Sequence, residues 1–291
     1  MNITTHHDTS KIFDFFPEGL VCLDLETTGL SPLLNRIVEI AGIKITPSGV
    51  EKFSTLINPA ILMDPRNIAI HHISNEMVKD APSLKEMLPK FMEFTQGLPL
   101  VAHNAQFDLG FIVYGLHSLG LPFTHNEVYC TVKLSRLVFK EFAHYRLGYL
   151  AEKLNIELKN AHRAEDDAQV CLEVLRLSLL KATKKEIAES MIFHLDDFQK
   201  IEDFELKDHL KLIQVKIDSQ EIMRIRYLGG SKKNEFRPIR PLSLLPLPQG
   251  NVLYAHCLES NLYKIYNLNK ISECALATEE DLKKYKKEED L

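Results

Sequence analysis

The chain is most informative at first in what it lacks. None of its 291 residues fall in an apolar run approaching the roughly 18 residues of a membrane span, which argues against a spanning helix. The opening "MNITTHHDTSKIFDFF" pairs no basic stretch with an apolar one, so it does not read as a signal peptide. Residues 1–17 are instead expected to form a flexible leader, with His6 and His7 as frayed polar residues. The five cysteines (22, 130, 171, 257 and 274) form no C-x-x-C pair, and most sit in apolar runs. Buried, reduced thiols in a cytoplasmic protein fit this usage better than a disulfide framework. A positive excess is also missing, with a net charge of −5. No internal repeat and no clear helix-turn-helix segment is visible, which argues against a transcription regulator.

What is present suffices for a sizeable core. Hydrophobic residues make up 45% of the chain, and its length suggests two domains at about 150 residues each. Charge is unevenly spread. Residues 1–180 hold 16 Lys+Arg against 21 Asp+Glu, whereas residues 215–275 hold 9 against 5. The later segment is therefore the one suited to anionic partners. Residues 20–58 predict three strands, the last two joined by "TPSG" as an antiparallel hairpin. From residue 83 helices alternate with a short strand, and Pro89 should kink or split the first helix. The final helix, 164–180, places positions 168, 171, 172, 175 and 179 on one apolar face. A mixed α/β sheet covered by helices follows. Residues 183–214 read as a charged helical connector. Residues 215–275, with "IQVKI", "IMRIRYL", "VLYAHCL" and "LYKIYNL" as strands, read as a small β-rich domain. Residues 276–291 form a charged tail.

Acidic residues gather at element ends. In "VCLDLETTGL", Asp24 and Glu26 lie two apart on a strand and so share one face. "VAHNAQFDLG" puts His103 and Asn104 after a strand and Asp108 in the first turn of a helix, with Asn104 suited to cap it. "NAHRAEDDAQVCLEVL" puts His162 before the last helix and Asp167 in its opening turns. Asp166 competes for the same role, but Asp167 lies on the edge facing the sheet. Carboxylates this close raise one another's pKa unless a cation intervenes. Two divalent ions would neutralise Asp24, Glu26, Asp108 and Asp167, and oxygen ligands favour Mg²⁺ or Mn²⁺ over zinc. "DLETT" also resembles the D-x-D-x-T of aspartyl-phosphate phosphatases. That family has an aspartate where Glu26 stands, and it would leave "HNAQFD" and His162 unemployed.

"DLETTG", "HNAQFD" and "HRAEDDA" resemble, in order and spacing, the three motifs of DEDDh 3′–5′ exonucleases, over residues 18–182. The stretch "INPAILMDPRNIAIHHISNEMVKDAPS" is similar to that family as well. The resemblance implies a ribonuclease-H-like fold, with Asp24, Glu26, Asp108 and Asp167 as metal ligands and His162 as general base. It also implies a seat for a 3′ end. Thr27, Thr28 and Gly29 would contact the terminal sugar, and His71 and Ile73 would line the terminal base. Asn104 and Phe107 would line the same cleft. His72 stands where the family often has glycine.

"FRPIRPLSL", "NVLYAHC" and "YKIYNLNKI" resemble the WYL domain, a small Sm-like β-barrel. Its name-giving tripeptide is degenerate here, as Asn251, Val252 and Leu253. The implied role is a platform for single-stranded nucleic acid built from Arg224, Arg226, Arg237, Arg240 and Lys264, with Tyr263 and Tyr266 for stacking. A dimerisation module is the other use such a domain could have. The whole chain is thus expected to be a metal-dependent exonuclease acting on 3′-ended DNA or RNA. The contrasting class is a non-catalytic nucleic-acid sensor that uses the same fold only to bind.

Overall fold

The computed structural model describes residues 10–158, 162–199, 206–230, 233–248 and 250–285. It divides into two compact units, Met1–Gln199 and Lys200–Leu291. The first contains, in order, α1 (Ser10–Phe15), β1 (Leu20–Thr27), β2 (Ile37–Thr46), β3 (Gly49–Leu56), α2 (Pro65–His71), α3 (Asn75–Val78) and α4 (Leu84–Thr95). It continues with β4 (Leu100–Ala102), α5 (Gln106–Leu119), β5 (Glu127–Cys130), α6 (Thr131–Val138) and α7 (Leu147–Lys153). It closes with α8 (Ala164–Leu179), α9 (Lys184–Ser190) and β6 (Met191–His194).

These strands form one mixed sheet in the order β3-β2-β1-β4-β5-β6. β1, β4 and β5 run parallel, while β2, β3 and β6 run antiparallel to their neighbours. The C-terminal ends of the three parallel strands therefore share one edge of the sheet. β2 has neighbours on both sides and nine of its ten residues are buried, which explains its nearly unbroken apolar run. The apolar face expected of the last helix packs as its spacing requires. Ala168, Cys171, Leu172, Leu175 and Leu179 join Leu20, Cys22, Ile43 and Ile45 in one core. Fully burying such aliphatic side chains contributes about 1.5–3 kcal/mol each. Pro89 sits inside α4 without dividing it.

The second unit contains α10 (Lys211–Asp218), β7 (Met223–Tyr227), β8 (Phe236–Leu245), β9 (Val252–Cys257), β10 (Leu262–Asn267), β11 (Ile271–Leu276) and α11 (Glu279–Tyr285). Its strands form a separate antiparallel sheet in the order β10-β9-β8-β7-β11. No described helix is long and apolar enough to cross a membrane.

Several boundaries differ from the sequence reading. The leader expected over 1–17 includes α1, whose Ile12 is fully buried in the core beside Phe16, while residues 1–9 lie outside the described residues. The expected connector supplies α9 and β6, and β6 pairs with β5 in the first sheet. "IQVKI" is helical, not a strand. Ile213 and Ile217 face the core at i, i+4 while Val215 is exposed, so the apparent alternation was incidental. β8 carries Pro238 and Pro241, residues that usually argue against an inner strand; a register shift between Pro241 and Ser243 accommodates the second. Within the tail, α11 is helical to Tyr285 and residues 286–291 lie outside the described residues.

Candidate active site and metal centre

β1 delivers Asp24 and Glu26 to the shared edge, half-buried, just before the chain turns. Asp108, buried in the first turn of α5, reaches back across the sheet. Its Oδ1 accepts the N–H of Leu25 at 3.2 Å, which sets this carboxylate between the two on β1. α8 supplies Asp167, whose Oδ2 accepts the backbone N–H of His162 at 3.1 Å. His162 holds φ of 64°, and this left-handed turn lets it fold back over the helix start. Ligand atoms of Glu26, His162 and Asp167 all lie within 4.8 Å of one another. The five residues singled out from three separate motifs are thus gathered at one place.

The electrostatics record this crowding. Burial first, then Asp108, Asp167 and Glu26, holds Asp24 well above the usual carboxylate range. Glu26 is pushed up to about 8 by burial, then by Asp167, Glu39 and Asp108, with Arg163 opposing. Burial raises Asp108 to about 8 against the backbone N–H groups it accepts. Asp167 is also raised, chiefly by burial. A set of hard oxygen donors that resist ionising together fits divalent cations, which would reverse each shift.

Glu39 escaped the sequence reading. It pairs with Glu26 across β1 and β2 and is 2% exposed. Its carboxylate accepts Arg163 Nη2 at 2.6 Å, Arg163 Nε at 3.2 Å and the N–H of Ala164 at 3.0 Å. A carboxylate thus holds the open end of α8, where the helix dipole favours negative charge. Arg163 is therefore committed to a protein carboxylate. The available signal was one acid inside the apolar run "IVEIAGIKI".

The turn after β1 spends its own hydroxyls. Thr27 Oγ1 donates to the carbonyl of Gly29 at 2.7 Å, and buried Thr28 accepts the N–H of Arg36 at 2.9 Å. The carbonyl of Thr28 accepts the side-chain amides of Asn35 and Asn67. Gly29 has φ of 152°, a conformation other residues adopt with strain, and a Cβ there would meet the Asn35 amide at 2.6 Å, displacing the side chain that bonds the Ser31 N–H and the Thr28 carbonyl. His72 takes φ of 58° and caps α2, adopting the conformation that glycine would supply.

The remaining candidates divide. His71 is buried, its Nδ1 accepts the N–H of Ile73 at 3.0 Å, and its Nε2 has no partner among the described residues. Burial lowers its pKa, while Glu39 opposes. Ile73 does not offer a face to a base: it is fully buried among Val38, Met63 and Val78. Phe107 is half-buried with its ring 5.4 Å from that of Phe111. Asn104 does not cap α5 as expected. It takes φ of 66°, the helix begins at Gln106, and its side chain is exposed.

The platform expected in the second unit is also rearranged. Arg224 pairs with Asp281 and Arg226 with Glu273. Arg237 is buried over the Tyr227 ring and donates to the carbonyl of Gly229. Tyr266 is 2% exposed and packs edge-on against Tyr227, so it cannot stack on a ligand. Tyr263 is 54% exposed, with its ring near those of Tyr254 and His256. Strand register places Arg240, His256 and Tyr263 side by side across β8, β9 and β10.

The first sheet, its covering helices and the clustered carboxylates define the ribonuclease-H-like exonuclease fold of the DEDDh type. The Exonuclease (RNase_T) family matches residues 21–175, and the chain belongs to that family. The chain is 34% identical over 251 residues to a PolC-type DNA polymerase III of Caldanaerobacter subterraneus, covering 84% of this chain. It is 37% identical over 180 residues to the corresponding protein of Clostridium perfringens, covering 62% of this chain. It spans only 18% and 12% of those relatives. Among solved structures, the nuclease domain of 3′hExo, a DEDDh family member bound to rAMP, shares the fold at TM-score 0.51. Identity is 16%, with 58% of this chain and 95% of that one covered. E. coli Exonuclease I in complex with a dA16 oligonucleotide matches at TM-score 0.51 and 15% identity, covering 92% of this chain and 68% of that one.

Proposed function

We propose that the protein hydrolyses phosphodiester bonds at nucleic-acid 3′ ends and releases nucleoside 5′-monophosphates. The observation that carries this reading is the convergence of Asp24, Glu26, Asp108 and Asp167 with His162 at one sheet edge. The four carboxylates would hold two Mg²⁺ or Mn²⁺ ions. Bound there, the ions would supply Lewis-acid stabilisation of the attacking and leaving oxygens. His162 would take a proton from water as general base, a role supported by its exposure and by a ring nitrogen within 4.8 Å of Glu26 and Asp167 oxygens. The rigid turn at Gly29, with the buried Nε2–H of His71, is the proposed seat for the terminal nucleotide.

For the second unit, we propose a degenerate WYL-like, Sm-like module that binds single-stranded nucleic acid. Exposed Tyr263 with Tyr254 and His256 supports stacking, and Arg240 on the same sheet face supplies positive charge, whereas Lys264, next along β10, alternates to the opposite face. The decisive experiment is a 5′-labelled oligonucleotide incubated with Mg²⁺ or Mn²⁺, with and without chelator, as single- and double-stranded DNA and RNA. Stepwise shortening from the 3′ end only with metal is the expected result. Binding without shortening of any substrate would overturn the enzymatic reading.

A further inference from the structure

Beside the carboxylate cluster lies an open cavity of about 520 Å³, a size within the roughly 300–1,000 Å³ of ordinary ligand sites. His103 and Asn104 contribute from the end of β4, Arg136 from α6, and His144, Tyr145 and Arg146 from the loop before α7. β4 is parallel to both β1 and β5, so Asn104 and the start of α6 emerge at the edge that carries Asp24 and Glu26. No carboxylate lines the cavity among the described residues.

Arg136 and Arg146 are the arginines that line this cavity, and like Arg36 they differ from the other arginines of this unit in their surroundings. Arg66, Arg163 and Arg176 each have a carboxylate within 4 Å. Neither Arg136 nor Arg146 has one among the described residues, and both are exposed. Arg136 lies 5.7 Å from the centre of the Tyr145 ring.

The loop bearing Arg146 is anchored. His103 Nε2 and the Tyr145 carbonyl are 2.9 Å apart, and its Nδ1 lies 2.9 Å from Thr131 Oγ1. A carbonyl can only accept, so Nε2 carries the proton and Nδ1 accepts from the Thr131 hydroxyl. Burial lowers the ring to about 4, which keeps it neutral and fixes this tautomer. His103 is thus a positioning residue: it ties the loop to the ends of β4 and α6.

Resting on the exonuclease reading of the neighbouring carboxylates, we infer that this cavity grips the phosphodiester backbone of the substrate strand on the 5′ side of the scissile bond, through Arg136 and Arg146. Guanidinium forks suit phosphate oxygens, and two fixed cations offset the repulsion between a polyanion and an acidic site. The strand would then be held both at its 3′ end and upstream.

The test compares wild type with R136A/R146A on two probes. One is the tetranucleotide dT4 (with rU4 as its RNA counterpart), read as Kd by fluorescence anisotropy against salt. The other is the p-nitrophenyl ester of thymidine 5′-monophosphate, which has no upstream nucleotide. The double variant is expected to bind dT4 or rU4 at least tenfold more weakly. Its slope of log affinity against log salt should shrink by about 1.4, two contacts at about 0.7 each on a single strand. The ratio of kcat/KM on dT4 to that on the ester should also fall at least tenfold. Unchanged affinity and slope would overturn the upstream grip, even if the ester is hydrolysed. Metal-independent failure to hydrolyse either probe would instead overturn the exonuclease reading, while the binding comparison still decides the cavity. H103A, whose lost anchor should partly reproduce the affinity defect, separates loop placement from charge: its salt slope should stay near that of wild type.

Discussion

Glu39 on β2 and Arg163, just before α8, are joined through both guanidinium nitrogens that face the carboxylate, at 2.6 and 3.2 Å. This pair stands between the strand carrying Glu26's partner and the helix carrying Asp167, so it couples their positions. Charge-assisted hydrogen bonds contribute about 1.5–3 kcal/mol. The Arg163 side chain is 38% exposed, which places Arg163→Ala toward the lower end, about 1–2 kcal/mol of unfolding free energy by denaturant titration. Glu39→Gln should lower turnover tenfold or more with KM within threefold. Normal turnover in a less stable protein would confine Glu39 to a structural role.

His162→Ala should still be stabilised by Mn²⁺ in thermal unfolding and still bind an oligonucleotide. Its turnover should fall by about 10²–10⁴, the range for general acid–base catalysis. Near-normal turnover would remove His162 from the mechanism.

The carboxylates predict a pH dependence of metal-free stability. Glu26 and Asp108, ordinarily near 4.5 and 3.8, titrate near 8 in the fold. Below about pH 4 both states hold the protons, and this contribution to stability is fully present. As pH rises to about 8 the unfolded chain has lost protons the native state retains, so stability falls. Chelated protein should therefore lose Tm between pH 5 and pH 8, and Mn²⁺ should raise Tm more at pH 8 than at pH 5. An equal metal-induced shift at both values would contradict the assignment of these groups as ligands.

Two tyrosines of the second unit separate binding from packing. Tyr263→Ala should leave Tm nearly unchanged and weaken single-strand binding by about 1–3 kcal/mol, the worth of one stacked base. Tyr266→Ala removes a buried ring and should cost about 3–5 kcal/mol of stability. Equal binding by wild type and Tyr263→Ala would end the stacking proposal.

Asp24, Glu26, Asp108, His162 and Asp167 are legible in the sequence because each stands at the end of an element inside one of three short motifs. Their meeting follows from parallel strands whose ends coincide. Glu39 was equally anomalous in its strand, but its partner lies 124 residues away, a distance no local pattern spans. Ile73 and Tyr266 are expected as ligand contacts only by resemblance, since a motif does not report which face of a loop or strand is covered. "IQVKI" failed for the opposite reason: five residues fit a period of two and a helical i, i+4 pair equally well. Arg136 and Arg146 come together only through the loop that His103 fastens.

Strand β6 changes where the chain can be cut. Met191–His194 covers the outer side of β5, pairing Phe193 with Val128 and Met191 with Tyr129. A truncation at residue 182, where the motifs end, would bare the backbone donors and acceptors of β5 and invite edge-to-edge aggregation. Ending at Gln199 keeps β6 as the sheet's own edge strand, so the insolubility of a shorter fragment would report a missing strand rather than a fold that needs its second unit.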